Sequence, residues 1–354
     1  MTLVHPWLLA RLACPYDGGA IRADAATLAC TTCERRFAVV DGVPVMLRDD
    51  VRQTHDAAAE SMAQVQPTLT SPDAAEPPGS PLPPDDDADL PTSPADRTPS
   101  VPDAPIDDYV QEAVSATCGL MYVSLIGRLT AYPIPDLRVP PGPGAGRTLL
   151  DVGCNWGRWS FAAARAGYVP IGVDPTLGAV RAATRVAKQL GVTAHFVTGD
   201  ARYLPLRTAT IDVAFSYSVL QHLAKHDVRR ALREMRRVLA PGGAAVVQMP
   251  NALGLRSLIV QARRRFRRAA GFEVRYWTIR ELRAAFERII GQTTVAVDGY
   301  FSLNPQTVDL PLLPLRYQAI VRTSERLRHA ADSHPWLATV ADSLYVSAQR
   351  AHEV

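Results

Sequence analysis

Thr148-Leu-Leu-Asp-Val-Gly-Cys-Asn-Trp-Gly-Arg-Trp-Ser160 is the stretch on which the reading of this chain turns. Thr148 to Val152 is an apolar, β-rich run, so it reads as a buried strand. The run breaks at Gly153 and restarts as a helix near Gly157, with Phe161, Ala162, Ala163 and Ala164 inside it. A strand, a glycine turn and a helix bring backbone N–H groups and a helix N-terminus close to a ligand. A second short strand, Tyr168-Val-Pro-Ile-Gly-Val-Asp174, ends in a carboxylate. Asp174 follows Gly153 by about 20 residues, the spacing at which an acid can grip two ribose hydroxyls.

Gly153-x-Asn155-x-Gly157 after Asp151 is not the dinucleotide pattern G-x-G-x-x-G. It resembles the Asp-x-Gly-x-Gly-x-Gly motif of class I S-adenosylmethionine (SAM) methyltransferases, with Asn155 in place of the middle glycine. Asparagine tolerates positive φ better than other non-glycine residues, so the turn can survive. The resemblance implies a SAM-binding turn from Asp151, Gly153, Asn155 and Gly157. It also implies that Asp174 takes the ribose hydroxyls, and that Asp200 with Ala201 reads the adenine. Read from the residues alone, each acid has a second reading as a helix cap or a solvated loop residue.

The flanking pattern alternates strand and helix, the signature of an α/β fold. Strands are expected at 148–152, 169–173, 193–197, 211–215, 244–249, 293–297 and 343–347. Helices are expected at 177–190, 227–239, 279–290 and about 315–331. A continuous helical period from Ile106 to Leu125 precedes the first strand. Seven strands with helices on both faces match that family's core, and the resemblance implies a Rossmann-like seven-stranded methyltransferase sheet, preceded by a small β ribbon.

That ribbon occupies residues 1–50. Cys14-Pro-Tyr-Asp17 and Cys30-Thr-Thr-Cys33 are two knuckles separated by a hairpin, the layout of a zinc ribbon. The stretch from Leu12 to Leu47 resembles the zinc ribbon of the small activator protein of tRNA and protein methyltransferases. In its metal-binding members the fourth ligand is cysteine, and here Asp17 stands in that place. Two readings follow: zinc held by Cys14, Asp17, Cys30 and Cys33, or a ribbon that folds on its strands without metal. Residues 51–105 hold ten acids against two bases and no Phe, Tyr or Trp. They read as a disordered linker, and the resemblance implies that 106–354 is the methyltransferase domain.

Methyl transfer from SAM is an in-line displacement, and hydroxyl or carbon acceptors also need a proton removed. After the fourth strand comes Ser216-Tyr-Ser-Val-Leu-Gln-His222, similar to small-molecule O- and C-methyltransferases such as those of quinone biosynthesis. His222 is the candidate base, because imidazole titrates near neutral pH; the other reading is a packing or capping histidine. Tyr122, Tyr217 and Asn251 are candidate acceptor contacts. Seven arginines between Arg256 and Arg275, interleaved with Phe266, Phe272, Tyr276 and Trp277, could meet an anionic partner or be a solvated face.

The formal net charge of +3 is small, and no apolar run approaches a membrane span. The N-terminus has no basic start or cleavage site, and the five cysteines are odd in number and clustered. These features lead us to expect a cytoplasmic protein. The leading expectation is a SAM-dependent methyltransferase acting on a small or lipid-like acceptor at oxygen or carbon. An RNA methyltransferase and a non-catalytic SAM-binding adaptor are the alternatives.

Overall fold

The computed structural model describes residues 4–24, 26–53, 56–70, 105–138, 144, 146–301 and 304–351. Its larger sheet has seven strands: β5 (Thr148–Val152), β6 (Val169–Asp174), β7 (His195–Thr198), β8 (Ile211–Ser216), β9 (Leu239–Pro250), β10 (Thr293–Gly299) and β11 (Ser343–Gln349). Their spatial order is β10-β11-β9-β8-β5-β6-β7. The central pairs are parallel, and β11 runs antiparallel to both its neighbours. All five residues of β5 are buried, which is why its run does not alternate.

Successive side chains of the strands point to opposite faces, so the core has two halves. Leu150, Val152 and Val173 share one cluster with Leu232 and Met235 of α6 (Lys225–Val238) and Phe286 of α8 (Ile279–Ile289). Leu149 and Phe215 share the other with Phe161 of α4 (Arg158–Arg165) and Val180 of α5 (Leu177–Leu190). The helix ends follow local chemistry. Thr278 and Glu281 form a capping box on α8, and α5 stops at Gly191 in the left-handed region. Also on this unit are α7 (Leu255–Arg263) and α9 (Leu315–Ser333). No helix among the described residues is long and apolar enough to cross a membrane.

The expected helix before the first strand is shorter than its period. α3 (Asp108–Cys118) ends where Gly119 takes φ +96°, and Leu120–Leu125 continues as a 3-10 turn.

The N-terminal unit has a short helix, α1 (Pro6–Leu9), and a meander of β1 (Ile21–Asp24), β2 (Thr27–Cys30), β3 (Arg36–Val40) and β4 (Val43–Pro44). It docks on the open edge of the large sheet. The Met46 N–H donates to Thr198 O at 2.8 Å, the Ala13 N–H to Pro205 O at 3.1 Å, and Arg207 N–H to Arg11 O at 2.8 Å. Leu12 and Met46 are fully buried in the same cluster as Val197, Leu204 and Leu206. The ribbon thus covers an edge that would otherwise offer unpaired backbone groups.

Part of the expected linker is ordered. Residues 56–70 form α2 (Asp56–Thr70), and buried Ser61 accepts the Leu177 N–H at 2.8 Å. Asp56, Ala57, Ala58, Ala59 and Glu60 suit a helix start, and tertiary contact with α5 stabilises it. The rest of the expected linker, 71–104, lies outside the described residues.

Candidate functional site

The strand order reverses beside β5, with the chain leaving towards β6 and β7 and returning to β8. Ligands of open α/β sheets gather at the carboxyl ends of strands at such a switch point. The glycine turn sits there. Gly153, Asn155 and Gly157 take φ +79°, +46° and +88°. Asn155 adopts the left-handed conformation and its Oδ1 accepts the Trp156 N–H at 2.8 Å.

Asp151 lies beneath the turn, buried, accepting the Ser160 hydroxyl at 2.7 Å. It ties β5 to α4. Burial pushes its carboxyl up to about 7, and the neighbouring Asp174 charge adds to the rise.

Asp174 closes β6. Its oxygens accept Asn155 N–H at 3.0 Å and Thr176 N–H at 2.9 Å. Each carboxylate oxygen has two lone pairs, the chemistry that ribose hydroxyls need in an acceptor. Beside it in register is Thr198, whose buried hydroxyl has no hydrogen-bond partner among the described residues. A carboxylate acceptor and an orphaned hydroxyl at adjacent strand ends fit the polar sugar end of an adenosyl group.

Tyr109 of α3 stands beside Asn155 and within the field of Asp174, and burial pushes its phenol up to about 12. The sequence placed it in a helical period but gave no sign that α3 folds over the turn.

Two other contacts differ from expectation. Asp200 is clamped by Arg202, with Nη2 at 2.6 Å and Nε at 3.1 Å from its oxygens. The Arg202 N–H also donates to it. A carboxylate so paired is a poorer reader of adenine than an open one. Ala201 follows, half-buried. At Gly153, an added Cβ would lie 2.3 Å from Val219 Cγ2. The close approach that requires glycine is thus made by the segment after β8.

His222 sits on the short turn Leu220–His222, half-buried. Its Nδ1 is 2.7 Å from Phe272 O, and its ring stacks on Phe272 with centroids 3.9 Å apart. A carbonyl only accepts, so Nδ1 carries the proton and Nε2 keeps its lone pair. The Gln221 amide lies 3.2 Å from Nε2. Arg275 donates to His222 O at 2.6 Å, which ties this turn to the arginine-rich segment.

The three acceptor candidates scatter. Asn251 is fully buried, donates to Thr339 O and Ala341 O at 2.9 Å, and accepts the Leu253 N–H. It is a backbone stitch with no group left for substrate. Tyr122 is fully buried beside the Arg158–Asp309 pair, and its hydroxyl has no partner among the described residues. Tyr217 is buried, donates to Asp298 at 2.9 Å and packs on Trp159 at 4.5 Å. Sequence patterning missed the Arg158–Asp309 pair (2.7 Å), because its members lie 151 residues apart.

In the ribbon, donor atoms of Cys14, Asp17, Cys30 and Cys33 lie within 4.8 Å of one another. The Cys14 and Cys33 sulfurs are 3.7 Å apart, and Cys30 Sγ is 3.5 Å from Asp17 Oδ1. A zinc–sulfur bond of about 2.3 Å in a tetrahedron sets sulfurs about 3.8 Å apart. The donor set therefore fits zinc in chemistry and size. The Thr32 N–H and Cys33 N–H point at Cys30 Sγ.

Residues 149–243, from β5 into β9, match the methyltransferase domain family. Over this stretch the chain is similar to methyltransferase domains. An uncharacterised methyltransferase of Mycobacterium avium is 38% identical over 110 residues, covering 31% of this chain and 42% of that protein. The ubiquinone biosynthesis O-methyltransferase of Azorhizobium caulinodans is 33% identical over 109 residues, again 31% and 42%. The chain thus spans about two fifths of the length of these relatives. A SAM-dependent methyltransferase structure from Methanosarcina mazei is 18% identical, with a TM-score of 0.44, over 61% of this chain and 100% of that one.

Proposed function

We propose that the chain is a SAM-dependent methyltransferase acting at oxygen or carbon of a small or lipid-like acceptor. Residues 106–354 would carry the reaction and residues 1–50 would form a zinc ribbon docked beside the cofactor end. The observation that carries this reading is Asp174, held by two backbone amides at the end of β6 beside the left-handed turn. SAM supplies the activated methyl group. Asp174 would hold the ribose hydroxyls, and Asp151 would fix the turn. His222 would take the acceptor's proton on Nε2 in exchange for the Gln221 amide that now donates to it, with Phe272 O holding the ring in the required tautomer. A relative named ubiquinone biosynthesis O-methyltransferase supports a hydroxyl as the first acceptor to try. Calorimetry with S-adenosylhomocysteine tests the cofactor half; no measurable affinity would end the proposal. A mass-spectrometric screen of catechols and prenylated phenols tests the acceptor half.

One observation favours RNA as the acceptor instead. Two clefts of about 840 and 600 Å³, the first between the ribbon and α6 and the second between α6 and α8, share Thr208, Arg233 and Arg237. Arg207, Arg230, Arg233 and Arg288 line them, exposed and without a carboxylate partner among the described residues. Such a groove suits a phosphate backbone. RNA affinity that falls steeply with salt, and that Arg230→Ser with Arg233→Ser removes, would favour this second reading.

A further inference from the structure

Helix α7 is built inside out. Its inward face carries the polar Ser257 and Gln261 beside half-buried Val260. Ser257 is fully buried and its N–H donates to Asp342 at 2.8 Å, while Gln261 donates to Ala252 O at 2.8 Å. Its outward face is apolar. Leu255 is 51% exposed, Leu258 39% and Ile259 53%, followed by Phe266 at 70% and Phe272 at 56%. At 100° per residue, Leu255, Leu258, Ile259 and Ala262 form one continuous stripe, with Ser257 on the far side and Gln261 at its edge. A helix of a water-soluble surface carries the reverse pattern.

The turn after α7 holds the stripe's last member outward at a cost. Arg265 and Phe266 are consecutive non-glycine residues at φ +52° and +54°. The left-handed region is unfavourable for such side chains and persists where the surroundings impose it. The Phe266 N–H donates to Gln261 O at 2.9 Å, closing the helix end around this strained pair. Charge surrounds the stripe. Arg263, Arg265 and Arg268 are exposed and have no carboxylate partner among the described residues. The segment's one acid, Glu273, is held by Arg267 at 2.7 Å on both oxygens.

We propose that α7 and its following turn dock this protein on the surface of an anionic lipid bilayer, with the Leu255–Phe266 stripe among the acyl chains and the arginines at the headgroups. Neither half of the surface alone selects this partner; together they do. A second copy of the chain would cover the apolar stripe but would set arginine against arginine. A phosphate backbone would satisfy the arginines but leave the stripe in water. An anionic bilayer satisfies both, and an amphipathic helix with arginine flanks and Leu, Ile and Phe on one face lies in that interface. The lipid face is coupled to the acceptor side of the fold, because Phe272 stacks on His222 and Arg275 holds the His222 carbonyl. The inference rests on the reading of a lipid-like acceptor only for its purpose. Membrane docking is measured without turnover, so the two can fail separately.

The test is co-sedimentation of the zinc-loaded full chain with phosphatidylcholine vesicles, with and without roughly a third phosphatidylglycerol. Binding should require phosphatidylglycerol and weaken as salt rises. Leu258→Ser with Ile259→Ser and Phe266→Ser should weaken it at least about tenfold. The substituted side chains are solvent-exposed, so the circular dichroism melt should not change. Arg263→Gln with Arg265→Gln and Arg268→Gln should abolish the preference for phosphatidylglycerol. Wild-type protein that stays in the supernatant, or a serine variant that binds as well as wild type, would overturn the proposal. So would a dimer in sedimentation velocity that the serine variant dissociates. Vesicle binding lost in Arg230→Ser with Arg233→Ser but kept in both α7 variants would place the anion site on α6 and equally overturn it.

Discussion

The two sheets of this protein are held together by different physics. The seven-stranded sheet buries both faces under helices, with Leu149, Leu150, Phe161, Phe215 and Phe286 fully enclosed. The four-stranded ribbon has short strands and few large core side chains, chiefly Leu28 and Phe37, and it lends Leu12 and Met46 to its neighbour's core. One unit is stabilised by area removed from water. The other needs a staple and a dock, because a module of this size cannot bury enough apolar surface. The difference locates sensitivity: the large sheet should respond to cavities, the ribbon to loss of a ligand.

The largest expected effect is on the staple. Purified, reduced protein should carry about one zinc, and Cys30→Ser should release it, since structural zinc contributes roughly 10–16 kcal/mol to small folds. Hydrogen exchange at Met46 should then rise while exchange in β5 stays slow. Metal analysis finding no zinc would mean that the ribbon stands on its strands and its dock alone.

Next in size is the proton. His222→Ala should lower kcat by about 10²–10⁴ and leave S-adenosylhomocysteine affinity within a factor of about two. Wild-type turnover of an identified acceptor by the variant would make His222 a packing residue.

A cavity in the large sheet comes third. Phe215→Ala should cost roughly 3–5 kcal/mol in chemical denaturation, because a fully buried aromatic ring is removed and its neighbours only partly collapse. Zinc content should stay unchanged. Loss of the metal together with the sheet's stability would show that the two units unfold as one.

Asp174→Ala should weaken S-adenosylhomocysteine binding by about 1.5–3 kcal/mol, the worth of a charged acceptor for two hydroxyls. Unchanged affinity in calorimetry would remove this residue from the cofactor site.

The remaining effect is a pH dependence. Asp151 is raised to about 7 by burial, so between about 4 and 7 the folded chain holds a proton that the unfolded chain has lost. Its contribution to stability therefore falls as pH rises through that window. Asp151→Asn should flatten this part of the stability profile while keeping the Ser160 contact; an unchanged slope would mean the carboxyl is not raised.

Sequence order carried most of the large sheet. The apolar runs of β5, β6 and β8, the helix at Leu177–Leu190 and the Cys/Asp knuckles are local patterns, and each is legible within a few turns of chain. The acceptor side was less legible. Asn251 read as a pocket residue because it follows a strand. It is instead consumed by carbonyls of Thr339 and Ala341, about 90 residues away. Asp200 read as an open acid, yet the Arg202 beside it folds back as its partner. The residues from 56 to 70 read as part of a linker by composition, and a contact with α5 made them a helix.

What the sequence determined by itself was the periodicity and chemistry of short segments: strand, glycine turn, helix, and four metal donors at knuckle spacing. These depend on backbone sterics and on side chains within a few residues of one another. The tertiary structure alone decided which way those segments face. The arginine run from Arg256 to Arg275 contains the same letters whether its apolar residues point into a core or into solvent. Asp342 and Ala252 hold the polar face of α7 inward, and that contact turns Leu255, Leu258 and Ile259 outward. Likewise, only docking on β7 lets Leu12 and Met46 become core. Burial is a property of distant partners, and a local pattern does not contain them.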